Sequence, residues 1–314
     1  MHTFDLAAIQ LARESISNMV RRTPLIPSVT LSERLGTNVY LKIEVFQKTG
    51  SFKVRGAFNR ALALTEAERS TGIVAVSGGN HAQAVAYVSR ALGLRSLILM
   101  PSNSPRNYVE ATQGYGAEVR LVGDVHEAFA AAREYQSQGW AFIHPFDDPM
   151  VMAGQGTLGL EIVEDLPNVT DVFVSIGGGG LLGGVATAIK SLKPSVRMWG
   201  VETEGANCMS LAFAAGHPVT VDKITSIAKT LGAPSASETT FALAKKYLES
   251  LIVVSDAEAL AMLRLILERV KILTEPAAAC TLAAADRIKS RFTPDNHVVL
   301  VLCGGNFGLD DLCR

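Results

Sequence analysis

Short runs of β-branched and apolar residues alternate along the chain with longer, alanine-rich stretches whose apolar positions recur at helical spacing. The runs at residues 38–43, 72–76, 96–100, 118–121, 171–175, 197–201, 250–254 and 297–302 predict strands. The stretches at 4–19, 51–64, 82–92, 104–115, 125–138, 154–165, 181–191, 238–248, 256–270 and 276–290 predict helices. Strand–helix alternation of this kind implies an α/β fold with mainly parallel sheets flanked by helices. In such sheets ligands bind beyond the carboxyl ends of the strands, where helices begin.

Three predicted strands run straight into glycine-rich turns. Val74-Ala75-Val76 meets Ser77-Gly78-Gly79-Asn80-His81, and Val172-Phe173-Val174 meets Ser175-Ile176-Gly177-Gly178-Gly179-Gly180-Leu181. The run at 298–302 meets Cys303-Gly304-Gly305-Asn306. The segment at 142–149, with two prolines and Asp147-Asp148, is the expected crossing between domains.

A chain of 314 residues suits two domains or one large α/β unit. With 48% hydrophobic and 19% charged residues it has material for a large core and is not a disordered chain. Its net charge of −1, without a basic cluster, argues against nucleic-acid binding. No run of about 18 apolar residues predicts a membrane span. The start, Met1-His2-Thr3-Phe4-Asp5-Leu6, has an acid and no basic segment, so no signal peptide is expected. Cys208, Cys280, Cys303 and Cys313 are scattered without a CxxC pair, which fits reduced thiols and a cytoplasmic protein.

The first candidate for chemistry is Lys53, in Thr49-Gly50-Ser51-Phe52-Lys53-Val54-Arg55-Gly56. It is entered through small residues and flanked by Phe52 and Val54, which suits an amine pointing into a cleft. A desolvated amine has a depressed pKa and can form a Schiff base with a carbonyl. The plainer reading is a helix-start lysine covering apolar surface with its stem. The second candidate is the tetraglycine turn at Gly177, Gly178, Gly179 and Gly180. Glycines let successive N–H groups converge on one anion, and the helix beginning at Leu181 adds positive potential. A tight turn with close helix–sheet packing, or a dinucleotide site with Glu202 as its ribose acid, would also use these glycines. A P-loop is excluded, since no Gly-Lys-Ser/Thr follows them.

These segments, together with Ala153-Gly154-Gln155-Gly156-Thr157 and Glu275-Pro276, resemble the serine/threonine dehydratase and serine racemase family of pyridoxal-phosphate enzymes. That family belongs to fold type II, the tryptophan synthase β-like group. The likeness runs from Val20-Arg21-Arg22-Thr23-Pro24-Leu25 to Phe307. It implies a discontinuous large domain, 1–60 with 147–314, that binds the cofactor, and a small domain, 61–146, that closes over the substrate. Lys53 would be the Schiff-base lysine and the base at Cα. Phe52 would pack on the cofactor ring, Asn80 would bond its 3′-hydroxyl, and Gly177 to Gly180 with Leu181 would hold its phosphate. Cys303 would face the pyridine nitrogen, with Glu275 beside the ring. Ser77, Asn80 and His81 would receive the substrate carboxylate.

The resemblance further implies β-elimination from a β-hydroxy L-amino acid such as threonine, serine or phenylserine, giving a 2-oxo acid and ammonia. A neutral thiol at the pyridine nitrogen favours expelling a β-leaving group over transamination. Racemases of the family carry a serine where this chain has Gly78, so racemisation is the alternative reading, and a non-catalytic nucleotide-binding protein a third. The racemases also carry an asparagine where this chain has Phe146, an apolar residue that suits threonine or a bulkier substrate. The family's cation site would fall on Glu202 and the carbonyls of Ala206 and Leu231. Divalent-dependent members have a carboxylate where Cys208 stands, so K⁺ is expected over Mg²⁺. The family also implies a homodimer. With the chain ending at Arg314, no regulatory domain and a catabolic role are expected.

Overall fold

The computed structural model describes residues 4–308. Met1, His2, Thr3 and Cys313, which entered the reading of compartment, lie outside the described residues.

Helix α1 (Leu6–Ile16) precedes a short β1 (Leu25–Pro27), α2 (Val29–Leu35) and β2 (Asn38–Ile43). Helices α3 (Lys53–Leu62) and α4 (Glu66–Thr71) lead into a first run of alternation. There β3 (Ile73–Val76), β4 (Ser96–Pro101), β5 (Glu118–Val122) and β6 (Ala141–Phe142) alternate with α5 (Asn80–Ala91), α6 (Arg106–Gly114) and α7 (Val125–Ser137). Helix α8 (Pro149–Asp165) opens the second run, made of β7 (Asp171–Ser175), β8 (Arg197–Thr203), β9 (Leu248–Val254) and β10 (His297–Leu302). Its helices are α9 (Gly180–Leu192), α10 (Cys208–Ala215), α11 (Glu238–Tyr247), α12 (Asp256–Leu265) and α13 (Pro276–Arg287).

Two sheets result. The larger has the order β1-β2-β10-β7-β8-β9, and the smaller β5-β4-β3-β6. All pairings are parallel except β1 with β2, where Leu25 faces Lys42. Strands β3, β7 and β10 are buried nearly end to end, as their continuous apolar sequence requires when helices cover both faces. The α/β class and the parallel sheets therefore agree with the sequence pattern.

Boundaries moved where a cap or a distant partner decided them. The helix expected from 154 begins at Pro149, because the Asp148 carboxylate accepts from the Met150 and Val151 amides at 2.7 and 3.2 Å and proline suits the first helical position. The helix expected over 256–270 is α-helical only to Leu265 and continues as a π-helical turn, Ile266–Val270. Strands β1 and β6 and helices α2, α4 and α10 were not legible. Three- and two-residue strands carry no periodicity, and α10 owes its start to another element, described below.

Ala153-Gly154-Gln155-Gly156-Thr157 lies inside α8, and its glycines serve helix crossings. A Cβ on Gly154 would stand 2.6 Å from the carbonyl oxygen of Arg55 and from Cα of Gly56 on α3. A Cβ on Gly184 of α9 would stand 2.4 Å from the carbonyl oxygen of Met152 and 2.7 Å from the amide of Gly156. Backbones approach this closely only where no side chain intervenes. Helix α8 thereby locks α3, and with it Lys53, to the larger sheet.

Candidate active site

A helix start leaves backbone N–H groups without intrahelical partners, and a Ser, Thr, Asp or Asn at the N-cap accepts from one of them. Helices α1, α2, α4, α7, α8, α11 and α12 are capped in this way by Asp5, Ser28, Thr65, Asp124, Asp148, Ser237 and Ser255. Helices α3, α5, α6, α9 and α13 start after Phe52, Gly79, Pro105, Gly179 and Glu275, and none receives a side-chain cap. All five of those residues line one cavity of about 350 Å³. Uncapped amides and helix dipoles converging on one space favour anionic groups there.

The tetraglycine turn forms one wall. Gly179 has φ +93°, open to glycine at no steric cost, and a Cβ there would stand 2.7 Å from Cβ of Thr240. A Cβ on Gly177 would stand 3.1 Å from the Leu231 carbonyl oxygen. Those on Gly178 and Gly180 would run into the Phe146 ring and the Phe146 carbonyl, at 2.3 and 2.6 Å. Phe146 is buried directly against this turn, its ring edge-to-face with His144 at 4.6 Å.

Lys53 opens α3 on the facing wall. Its Nζ donates to the Pro145 carbonyl at 2.7 Å and lies 5.1 Å from the centre of the Phe52 ring. Burial brings its pKa down to about 8. Phe52 is held from behind, its N–H donating to the Cys303 carbonyl at 3.0 Å, and Ser51 bridges to Gly304. The Cys303 thiol accepts from the Ser175 hydroxyl at 3.3 Å, and burial pushes it up to about 12, so it is neutral.

Asn80, first residue of α5, donates through Nδ2 to Oε1 of Glu275 at 2.9 Å. The Thr230 hydroxyl donates to the same oxygen at 3.1 Å, while Oε2 is buried with no hydrogen-bond partner. Burial pushes the Glu275 carboxyl up to about 7 against the pull of these bonds. Thr230 was not among the expected site residues.

The Ser77 hydroxyl closes its turn by accepting from the Gly79 amide at 3.0 Å. The His81 side chain turns away from the turn, with Nε2 against the Ile143 carbonyl at 2.9 Å. Burial, helped by the charge of Lys53, brings its pKa down to about 3, and His144 is brought to about 4, again mainly by burial. In the unfolded chain both protonate near pH 6.5, so below that pH the unfolded state binds more protons and stability falls with falling pH. For His81 alone the loss is about 1.4 kcal/mol per pH unit between 6.5 and its folded-state value. Melting temperatures measured from pH 7.5 to 5 should fall, and His81→Asn, which keeps an N–H for Ile143, should flatten the slope. An unchanged slope would show that the imidazole is not held neutral.

The residues expected at a cation site also make contacts within the fold. Glu202 is fully buried, and its two oxygens accept from the Met209 and Ser210 amides at 2.8 Å each, so it caps α10 from the end of β8. The Leu231 carbonyl accepts from the Ala233 amide at 2.7 Å, and the Ala206 amide donates to the Thr203 carbonyl at 2.9 Å. Burial brings Glu202 up to about 7, and no cationic side chain bonds to it.

An α/β fold with a lysine, a glycine turn and uncapped helix starts around one cavity defines an enzyme class that binds an anionic, carbonyl-bearing cofactor. The chain belongs to the family of pyridoxal-phosphate dependent enzymes, whose pattern matches residues 16–304. An L-threonine ammonia-lyase of Thermotoga maritima is 40% identical over 311 residues, covering 98% of this chain and 77% of that one. A catabolic L-threonine dehydratase of Staphylococcus aureus is 40% identical over 317 residues, covering 98% and 90%. The structure of maize serine racemase superposes with a TM-score of 0.93 at 32% identity, covering 98% of this chain and 95% of that one. The fold is that of the fold-type-II members, in agreement with the resemblance carried by the motifs. Among the described residues no helix is long and apolar enough to cross a membrane.

The residues present suit the cofactor. Uncapped amides at the start of α9 offer donors to a phosphate, and Glu275 keeps a buried oxygen without a partner on the cavity wall.

Proposed function

We propose that the protein eliminates water from a β-hydroxy L-amino acid, threonine or serine first among them, to give a 2-oxo acid and ammonia. The observation that carries this reading is the desolvated amine of Lys53, facing a cavity whose opposite turn has glycine at position 78, while the other lysines of the lining, Lys223 and Lys229, are exposed. The two relatives at 40% identity, named for threonine ammonia-lyase and dehydratase activity, support the same substrate class.

In this reading Lys53, Phe52, Asn80, Glu275, Cys303, Leu181 and the four glycines hold pyridoxal phosphate. The cofactor supplies the electron sink that makes the Cα proton of an amino acid acidic. Lys53 takes that proton, which an amine with its pKa lowered to about 8 can do near neutral pH. The amides at the starts of α5 and α6, with Ser77, receive the substrate carboxylate. His81 contributes through its backbone, since its ring is committed to Ile143. The neutral thiol of Cys303 would bring no negative charge to the bound cofactor, which would favour loss of the β-hydroxyl, leaving as water with a proton, over retention of the electron pair. Phe146 presents an apolar surface to the β-substituent, which fits the methyl group of threonine. Residues 61–146, carrying the smaller sheet, would close over the substrate held by 1–60 and 147–314.

The proposal includes K⁺ at Glu202 with the carbonyls of Ala206 and Leu231. A buried carboxylate without a cationic neighbour is costly, and oxygen donors suit a hard cation. Racemisation is the second reading. It is favoured by Ser104, whose Oγ stands 2.5 Å from where a Cβ on Gly78 would lie, although that hydroxyl donates to the Pro101 carbonyl at 2.6 Å.

Single enantiomers of serine, threonine and phenylserine, each supplied with K⁺ or Mg²⁺, test these readings together. The expected result is 2-oxo acid from L-threonine and L-serine, stimulated by K⁺. Formation of the opposite enantiomer without 2-oxo acid would sink the elimination reading, and activity that needs Mg²⁺ and ignores K⁺ would sink the cation assignment.

A further inference from the structure

Which way the Asn80 amide faces decides what it can offer a ligand, and that choice is settled by hydrogen-bond logic. The backbone carbonyl of Thr49 can only accept. Asn306 meets it at 2.7 Å, so the atom of Asn306 that does so must be its nitrogen. The same nitrogen lies 2.8 Å from Asn80, whose facing atom must therefore be its oxygen. The nitrogen of Asn80 is then turned to Glu275, which leaves its second N–H for whatever occupies the cavity.

Asn306 is itself clamped. Gly305 N–H donates to the Gly50 carbonyl at 3.0 Å, and Gly50, with φ +70°, has its open side against Oδ1 of Asn306, where a Cβ would lie 2.9 Å away. The Tyr108 hydroxyl, from α6 beside the smaller sheet, donates to the backbone carbonyl of Asn306. Asn306 therefore joins the loop before Lys53, the start of α5 and helix α6. It is absent from the lining of the cavity, and the lining residue its side chain bonds is Asn80.

We propose that Asn306 is a positioning residue that fixes the Asn80 amide with its free N–H toward the cofactor, and that Tyr108 holds Asn306 in register for this task. The inference rests on the proposed reading of the site as one for pyridoxal phosphate. It makes the docking of α6 part of cofactor retention, because loosening Tyr108 releases the residue that orients Asn80.

The test is the dissociation constant of pyridoxal phosphate, measured on the full-length holoenzyme by equilibrium dialysis, with melting temperatures taken alongside. Asn306→Ala should weaken retention about tenfold, in line with one lost hydrogen bond to the ligand. Asn306→Asp should weaken it further, since a carboxylate would face two acceptor oxygens. Tyr108→Phe should give a smaller loss in the same direction. The deciding comparison is the pair Asn80→Ala and Asn80→Ala with Asn306→Ala. If Asn306 acts through Asn80, the double variant binds no more weakly than Asn80→Ala alone. Losses that multiply, or an Asn306→Ala enzyme that keeps its cofactor as tightly as the wild type, would overturn the proposal. Wild-type protein that holds no pyridoxal phosphate would instead overturn the underlying reading, an outcome the wild-type dialysis separates from the others.

Discussion

Replacing Lys53 by alanine is expected to remove the yellow colour of the purified protein and to lower turnover of L-threonine by on the order of 10⁴-fold or more. Two functions are lost together. In the proposed reading the amine would anchor the cofactor's aldehyde and would also be the base for the Cα proton. The buried titratable groups nearest the amine are poor replacements. The Cys303 thiol, pushed up to about 12, and the His81 imidazole, brought down to about 3 and bonded to Ile143, are both poor bases in this setting. The fold should survive, because among the described residues Nζ bonds to the Pro145 carbonyl alone and burial of the amine is itself unfavourable. Absorbance, 2-oxo acid formation and melting temperature measured on one preparation check all three parts. A coloured, active Lys53→Ala protein would refute the site.

The second large effect lies two residues along the same helix. Arg55 is fully buried and forks onto two carboxylates. It bonds both oxygens of Glu44 at 2.8 Å, and Oε1 and Oε2 of Glu161 at 2.7 and 3.0 Å. Its remaining contacts include the Thr157 hydroxyl at 3.0 Å and the Arg21 carbonyl at 3.3 Å. Lys42, also fully buried, adds a bond to Glu161 at 2.6 Å and one to the Thr23 carbonyl at 2.7 Å. These buried groups, with Asp165 at the edge 3.9 Å from Lys42, tie α3 to β2, α8 and the turn at Glu44–Phe46. Arg55→Leu would leave Glu44 without its partner, and Glu161 with Lys42 alone. Breaking a buried pair by removing one member costs about 3–5 kcal/mol, far more than an exposed pair is worth. Denaturant unfolding should show a loss of that size.

The effect has a definite pH dependence. Burial raises the Glu161 carboxyl, but the charge and hydrogen bonds of Arg55, with those of Lys42, hold it below the ordinary 4.5. A carboxyl depressed in the folded state stabilises fully above its unfolded value and loses that contribution as the pH falls through its folded one. The gap between Arg55→Leu and wild type should therefore be wide at neutral pH and narrow in acid. A loss below about 1 kcal/mol at pH 7, the size expected of a surface pair, would show that the cluster is not isolated from water.

Strands buried on both faces announce themselves, so β2, β7 and β10 stand where the apolar runs at 38–43, 171–175 and 297–302 put them. Lys53 and the tetraglycine turn were visible for a related reason, since a lysine between apolar residues and four successive glycines are both costly unless something uses them. Helix α10 was not visible. Its N-terminal amides are satisfied by Glu202, a residue of β8, and Asn207 beside them makes no side-chain cap. The missing caps carried a signal that went unread: helices following Phe52, Gly79, Pro105, Gly179 and Glu275 start without a residue that accepts from them.

The sequence by itself determined the α/β class, the strands of the two sheets apart from β1 and β6, and the lysine and the glycine turn as candidates for chemistry. These are consequences of local spacing and composition. Only the tertiary structure decided that five uncapped helix starts share one cavity, that Glu202 caps a helix, and that the Thr49 carbonyl orients Asn80 through Asn306. The reason is distance along the chain: a hydrogen bond between residues 49 and 306, or 80 and 275, leaves no periodic trace. Each appears only when the sheets have brought their loops to the same edge.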